Sequence, residues 1–282
     1  FLTTLLVILI LQVFLKNIIQ NDLYVMSSAT QKNDFSGQLV KIRLLTSPEG
    51  IKRIINVAVS QFFYVGISSC FLAYIGLYEI YQGIRYSIKT RKFGDFHFLL
   101  YFFVLLVYIF SQAISVLSLI KYSRIDHLAY GRYTGNWIMP LTMLGLYHIV
   151  RTPKKKVFCE MIFVICLGAG LGVIFQKILA DSGLKSFVPI NAPVLFNYIT
   201  QYIENETNIL SSRMFITAIT ALALSVLFLK MFRRGRVLAF IVLISAFAFP
   251  VLSVMSQKVV PEQEYNKGIL SISEKVRQYD LP

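Results

Sequence analysis

The sequence predicts an all-α membrane protein, a polytopic bundle of about seven transmembrane helices with an outward amphipathic helix. Of its 282 residues, 56% are hydrophobic and only 15% are charged, and the mean hydropathy is +0.64. This composition is too apolar for an ordinary soluble domain. The apolar residues also form long runs separated by polar segments, which is typical of a chain that crosses a bilayer repeatedly.

Seven apolar segments are long enough to cross a bilayer wholly or in part, because a transmembrane helix needs about 20 residues. They are residues 1–15 (truncated), 54–81, 96–120, 133–150, 157–180, 214–231 and 237–256. The second segment is long enough to tilt or to extend past the bilayer. We therefore expect a transmembrane domain over 1–257, truncated at its N-terminus, and the start of an extracytoplasmic tail or domain over 258–282.

The net charge is +14, and twelve of the 28 Lys and Arg residues form clusters that follow the second, fourth and sixth apolar segments. These are Arg85, Lys89, Arg91, Lys92, Arg151, Lys154, Lys155, Lys156, Lys230, Arg233, Arg234 and Arg236. Because cytoplasmic loops collect Lys and Arg, we expect these three segments to face the cytoplasm and the alternate loops and the tail to face outward. This distribution excludes a nucleic-acid partner, which would require a basic face on a folded domain.

The outward loop before the second span contains "GQLVKIRLLTSPEGIKRIINV", residues 37–57. Its apolar residues recur at helical spacing with basic residues between them, as in an amphipathic helix that lies in the outer interface. A polar lead-in to the second span explains the same residues, and both interpretations stay open.

The stretch "DHLAYGRYTGNW", residues 126–137, places an acid, an imidazole, a guanidinium and two phenols within eight residues. The fourth span must reach Arg151 and so begins near Tyr133, which places Asp126 to Tyr133 at the outer membrane surface. An arginine fork binds phosphate oxygens, and Arg132 is the first candidate for such a contact, with Arg124 and Lys121 as helpers. Alternatively, the tyrosines and Trp137 form an interfacial aromatic belt and the arginines reach toward headgroups.

His127 is a candidate general acid or base, or an interfacial hydrogen-bonding residue. No second His or Cys lies near it in the sequence to complete a metal site. Glu79 and Glu160 fall near the cytoplasmic ends of their spans, beside basic loop residues. The lack of charge at the middle of the membrane argues against an ion-coupled transporter.

The stretch "YGRYTGNWIMP" resembles the membrane glycosyltransferases of the GT-C type, in which "GRY" or "RY" followed by Pro opens a late membrane helix at the outer face. The matching residues are Gly131, Arg132, Tyr133 and Pro140. The resemblance implies transfer of a sugar from a polyprenyl-phosphate donor to a cell-envelope acceptor outside the membrane, with inversion at the anomeric carbon. It also implies an acidic general base in an early outward loop. We expect that base to lie outside the sequence, so no catalytic residue is named.

On this hypothesis Arg132 binds the donor phosphate, and Tyr130 and Tyr133 stack on or hydrogen-bond to the sugar or isoprenoid. Asp126 orients Arg132 or binds a sugar hydroxyl, and His127 contacts the acceptor. The expected partners are the lipid-linked donor and membrane lipids. No cofactor is identified, and a requirement for a divalent metal stays open.

Two hypotheses of other classes compete with the enzyme. One is a transporter or flippase of a lipid-linked envelope precursor, with a polar path along Gln61, Ser68, Ser69, Ser111, Gln112 and Ser115. We interpret these residues as interhelical hydrogen-bonding groups. The other is a non-enzymatic membrane protein in which residues 126–137 form only an interfacial belt.

Overall fold

The computed structural model describes residues 47–130, 135–205, 207–231 and 235–254. The chain divides into two units, Phe1–Pro48 and Glu49–Pro282, and every contact discussed below lies within the second. The described residues form α-helices and short 3₁₀ turns and contain no strand. The helices are α1 (Pro48–Ser68), α2 (Leu72–Thr90), α3 (Phe96–Ser118), α4 (Ile125–Leu128), α5 (Gly135–Arg151), α6 (Lys154–Ser182), α7 (Phe196–Asn205), α8 (Arg213–Met231) and α9 (Gly235–Val254). The first predicted span and the predicted tail lie outside the described residues.

Three of these helices, α3, α6 and α8, are long and apolar enough to cross a membrane. The bent pair α1 and α2 adds a fourth span if it counts as one. The all-α prediction is therefore confirmed over the described residues, whereas seven spans are not confirmed. The fourth predicted span corresponds to α5, which has 17 residues. In α9 the apolar stretch is the shorter Val237–Ala246, which is below the length of a span.

The predicted span over residues 54–81 is not one straight helix, because the chain bends by 104° between α1 and α2. Cys70 and Phe71 adopt left-handed backbone conformations with φ of 49° and 62°, which end α1. The Ser69 hydroxyl accepts a hydrogen bond from the Ala73 N–H at 3.1 Å and so caps the first turn of α2. Left-handed non-glycine residues cost about 1–2 kcal/mol each. Burial of the Phe71 ring at the bend offsets part of that cost.

Helices α2 and α5 touch through their backbones at two glycines. A methyl group at Gly76 would overlap the carbonyl oxygen of Leu141, and one at Gly145 would overlap that of Leu72. Small residues permit this close approach, as in other membrane helix pairs. Gly76 of α2 lies beside Gly145 of α5. Three residues later on each helix, Glu79 meets His148. The two helices therefore run in the same direction.

The two ends of the helical bundle carry different polar residues. At the end where α2, α5 and α8 finish, the Lys230 ammonium donates hydrogen bonds to the carbonyl oxygens of Val150, at 3.3 Å, and Thr152. The described residues of the three basic segments therefore lie at one end, which we call the His148 end. Helix α6 has 29 residues and is about 44 Å long, and it reaches the opposite end, which we call the Asp126 end.

Residues 48–55 of the candidate amphipathic segment form the first turns of α1, which continues without a break to Ser68. Ile51 and Ile55 are about half exposed on these turns. For the described part of the segment the structure agrees with the lead-in interpretation. Residues 37–46 lie outside the described residues.

We predict that Gly145→Ala destabilises the protein by about 2–3 kcal/mol, because the added methyl forces apart two backbones. Thermal unfolding in detergent micelles measures the change. The control is Gly170→Ala on α6, where the added methyl meets nothing within 4 Å. That change should leave stability unchanged or slightly raised, since alanine favours a helix over glycine by about 1 kcal/mol. Equal unfolding temperatures for Gly145→Ala and the wild type would contradict the contact.

Candidate functional site

The Asp126 carboxylate is fully buried and joins two loops at its end of the bundle. Its Oδ1 accepts hydrogen bonds from the Arg124 Nε–H and the Val188 N–H, both at 3.1 Å. Its Oδ2 accepts from the Arg124 Nη2–H at 3.0 Å and from the Asn191 side-chain amide at 2.8 Å. Charge-assisted bonds of this kind are about twice as strong as neutral ones. Asp126 therefore fixes residues 124–126 against residues 188–191, and we call this contact the Asp126 junction.

A backbone bond strengthens the same junction, since the Ile125 N–H donates to the Ser186 carbonyl at 2.9 Å. Ile125 and Leu128 have no exposed surface, so α4 is anchored by its apolar side chains as well as by Asp126. The sequence predicts that these two loops lie on the same side of the membrane. The structure brings them into direct contact.

The other predicted binding residues differ in their exposure and in their contacts. Arg124 pairs with Asp126 and keeps 36% of its side chain exposed. His127 is partly buried, and its Nδ1 accepts a bond from the Ser123 N–H at 3.4 Å. Burial lowers the pKa of His127, and the charge of Arg124 lowers this pKa further, so the ring is neutral near pH 7.

Tyr130 is partly buried at the end of the described loop. Arg132 and Tyr133 lie outside the described residues. Their roles toward a donor, and those of Tyr130 and His127, stay predictions.

A second polar cluster lies at the His148 end, where a buried imidazole bridges two carboxylates. His148 Nδ1 is 2.6 Å from Glu79 Oε2, and its Nε2 is 2.9 Å from Glu160 Oε2. His148 is only 2% exposed. An imidazole donates to two acceptors only when both ring nitrogens carry protons, so this geometry fits the imidazolium. Three residues from three helices thus form one charged bridge.

The glycine contact between α2 and α5 positions this bridge. Glu79 follows Gly76 by three residues and His148 follows Gly145 by three, so each lies one turn beyond its glycine on the contact face. The close backbones hold the carboxylate and the imidazole at hydrogen-bond distance. Helix α6 starts immediately after α5 and brings Glu160 to the other ring nitrogen.

Tyr101 and Thr152 complete the surroundings of the bridge. The Tyr101 hydroxyl donates to Glu79 Oε1 at 3.0 Å, and the Thr152 hydroxyl is 3.2 Å from His148 Nε2. The Tyr101 ring lies against Gly83, where a methyl group would overlap it. Glu79 and Glu160 face opposite edges of the imidazole, so the three groups bridge and do not converge on a common point. Among the described residues no three such side chains are arranged to hold a metal ion.

A polar cavity of about 520 Å³ opens beside the bridge, within the range of sizes of small-ligand sites. Charged and hydrogen-bonding groups from the ends of α2, α3, α5 and α6 line it. They include Glu79, Asp95, His97, Tyr101, His148, Arg151, Thr152 and Lys156.

The sequence predicts that Glu79 and Glu160 lie near the cytoplasmic ends of their spans, but it does not connect either of them with His148. Each of α2 and α5 carries one ionisable residue a single turn after a glycine within an apolar run. That shared pattern was the sequence signal that could have indicated the contact between Glu79 and His148. The partnership itself required knowledge of which helices are neighbours.

No family model, curated protein or solved structure shows significant similarity to this chain.

We predict that Asp126→Ala lowers stability by about 2–3 kcal/mol, because it leaves the donors of Arg124, Val188 and Asn191 without their acceptor. The unfolding temperature in detergent and the rate of limited proteolysis within residues 121–131 measure the effect. The matched control is Asp181→Ala, which removes an exposed carboxylate at the same end. If both variants behave alike, the Asp126 junction does not hold these loops together.

Proposed function

We propose that the chain is the membrane portion of a glycosyltransferase that transfers a sugar from a polyprenyl-phosphate donor to a cell-envelope acceptor. The cell membrane is its location, with several spans, and the donor site lies at the outer face. The carrying observation is the Asp126 junction, which fixes two loops at one end of the bundle and orients Arg124. A donor phosphate needs such a preorganised cationic surface.

The distribution of charge supports placing this end outside. Arg151 and Lys156 belong to the basic segment after the fourth apolar run and Lys230 to the one after the sixth, and they lie together at the His148 end. Basic segments collect on the cytoplasmic side of a membrane, so the Asp126 end faces outward and the tail after α9 follows it there. The lipid-linked donor and the acceptor then meet the protein at this surface.

In this proposal each loop residue has its own role. Asp126 has a positioning role, because every bond of its buried carboxylate goes to the protein. Arg124 presents the exposed part of its guanidinium beside the junction, and Arg132 binds the donor phosphate. Tyr130 and Tyr133 contact the sugar or the isoprenoid, and the neutral His127 contacts the acceptor. The general base lies elsewhere in the protein, and a metal requirement stays open.

A transporter or flippase of an envelope precursor is the second candidate, and one observation favours it. The Gln112 side-chain amide donates to the Gln61 carbonyl oxygen at 2.9 Å between α1 and α3. The remaining polar atoms of these two amides, Gln61 Nε2 and Gln112 Oε1, and the Ser115 hydroxyl are buried without a hydrogen-bond partner among the described residues. In contrast, the Ser68 and Ser69 hydroxyls donate to the carbonyl oxygens of Tyr64 and Gly66 in the preceding turn of the same helix, so they already have partners.

We predict that Arg132→Ala lowers sugar transfer by ten-fold to a few hundred-fold, as expected for the loss of a charge-assisted phosphate contact. The assay uses membranes that contain the full protein and a radiolabelled polyprenyl-phosphate sugar. The control is Lys185→Ala, which removes an exposed cation from the other loop at the Asp126 end. Full transfer by Arg132→Ala would refute the role of this arginine. Normal transfer with lost precursor movement in Gln61→Leu vesicles would favour the flippase.

A further inference from the structure

An apolar groove lies beside the polar cavity at the His148 end. The groove has a volume of about 420 Å³ and lies between α3 and α5. Leu100 and Val104 line it from α3, and Met143 and Tyr147 line it from α5. These residues recur at helical spacing, so the groove follows the seam of the two helices. His97 and Tyr101 line both the cavity and the groove, so the polar space and the apolar space are adjacent.

The carboxylates around the cavity already have partners within the protein. Glu79 and Glu160 both face His148, and Asp95 Oδ1 is 3.6 Å from His97 Nδ1. Each of these carboxylates therefore already faces a partner within the protein before any ligand arrives. The cavity thus has cationic side chains to offer a ligand.

Arg151 is the cation best placed to bind an anion. Its guanidinium lies over the Tyr147 ring, 5.0 Å from the centroid, and donates a hydrogen bond to the Tyr147 hydroxyl. It has no carboxylate within 4 Å among the described residues. Arg151 lines the cavity and Tyr147 lines the groove, so this guanidinium lies where the two spaces meet. Lys156 adds a second cation on the cavity wall, where its Nζ also lies 3.8 Å from Glu160 Oε1.

The surroundings favour an anionic lipid over a free anion. Exposed lysines and arginines, Arg85, Lys89, Lys154 and Lys155 among them, lie at the same end of the bundle. Each basic residue near a membrane surface contributes about 1 kcal/mol to attraction of an anionic leaflet. A free phosphate would leave the groove unfilled, whereas an acyl or isoprenoid chain would bury its apolar surface there.

We propose that the cavity and groove bind a lipid that carries a phosphate headgroup. The phosphate contacts Arg151 and Lys156, and one hydrocarbon chain follows the α3–α5 groove. The site is at the opposite end of the bundle from the proposed donor site. Its failure would leave the proposed function at the Asp126 end unaffected.

The test measures lipid binding to the purified protein in detergent by native mass spectrometry. The probes are phosphatidylglycerol, diacylglycerol, which lacks the phosphate, and glycerol 3-phosphate, which lacks the chains. We expect phosphatidylglycerol to bind at least ten-fold more tightly than either of the others. Arg151→Ala should weaken its binding about ten-fold, the loss expected for one charge-assisted contact. Met143→Trp should weaken it comparably by filling the groove.

Arg85→Ala is the control, because Arg85 is an exposed cation at the same end that does not line the cavity. The affinity of the Arg85→Ala variant for phosphatidylglycerol should stay within two-fold of the wild type. Unfolding temperatures establish that all variants are folded. Equal losses in Arg85→Ala and Arg151→Ala would overturn the site in favour of diffuse surface charge. Equally tight binding of diacylglycerol would overturn phosphate recognition, and equally tight binding of glycerol 3-phosphate would make this a soluble-phosphate site.

Discussion

The close approach of α2 and α5 is the constraint on which the rest of the described structure depends. Gly76 and Gly145 let the two backbones touch, and any side chain there would overlap a carbonyl oxygen of the neighbouring helix. Apolar packing provides little orientation in a membrane, since lipid tails are as apolar as the side chains. The glycine contact supplies that orientation. One turn further along, it places Glu79 and His148 within hydrogen-bond distance, and the polar cavity opens beside them.

The two ends of the bundle use buried charge in the same way for different purposes. At one end Asp126 ties its own loop to residues 188–191, and at the other His148 ties three helices together. A buried charge is tolerated only when it is paired and fully hydrogen-bonded. Both clusters therefore restrict how the connecting segments can be arranged. The proposed donor site uses the first restriction, and the proposed phospholipid site uses the second.

Local sequence patterns predict the helices well and their partners poorly. Apolar runs identify α3, α6 and α8, because burial in lipid and helix formation impose the same composition. The bend at Cys70 and Phe71 was not predicted, since two left-handed residues without glycine leave no sequence signal. Asp126 was recognised as important, but its partner Asn191 is 65 residues away. Likewise the bridge at His148 joins residues 69 and 12 positions apart, and no local pattern encodes such contacts.

A double-mutant cycle between Gly145 and Glu79 tests most directly whether the glycine contact positions the charged bridge. The free energy of unfolding in mixed micelles is measured for Gly145→Ala, Glu79→Gln and the double variant. If the added methyl already separates Glu79 from His148, then Glu79→Gln costs less in the Gly145→Ala protein than in the wild type. The account predicts a coupling free energy above about 1 kcal/mol. Effects that add to within about 0.5 kcal/mol would show that the two features are independent and would contradict it.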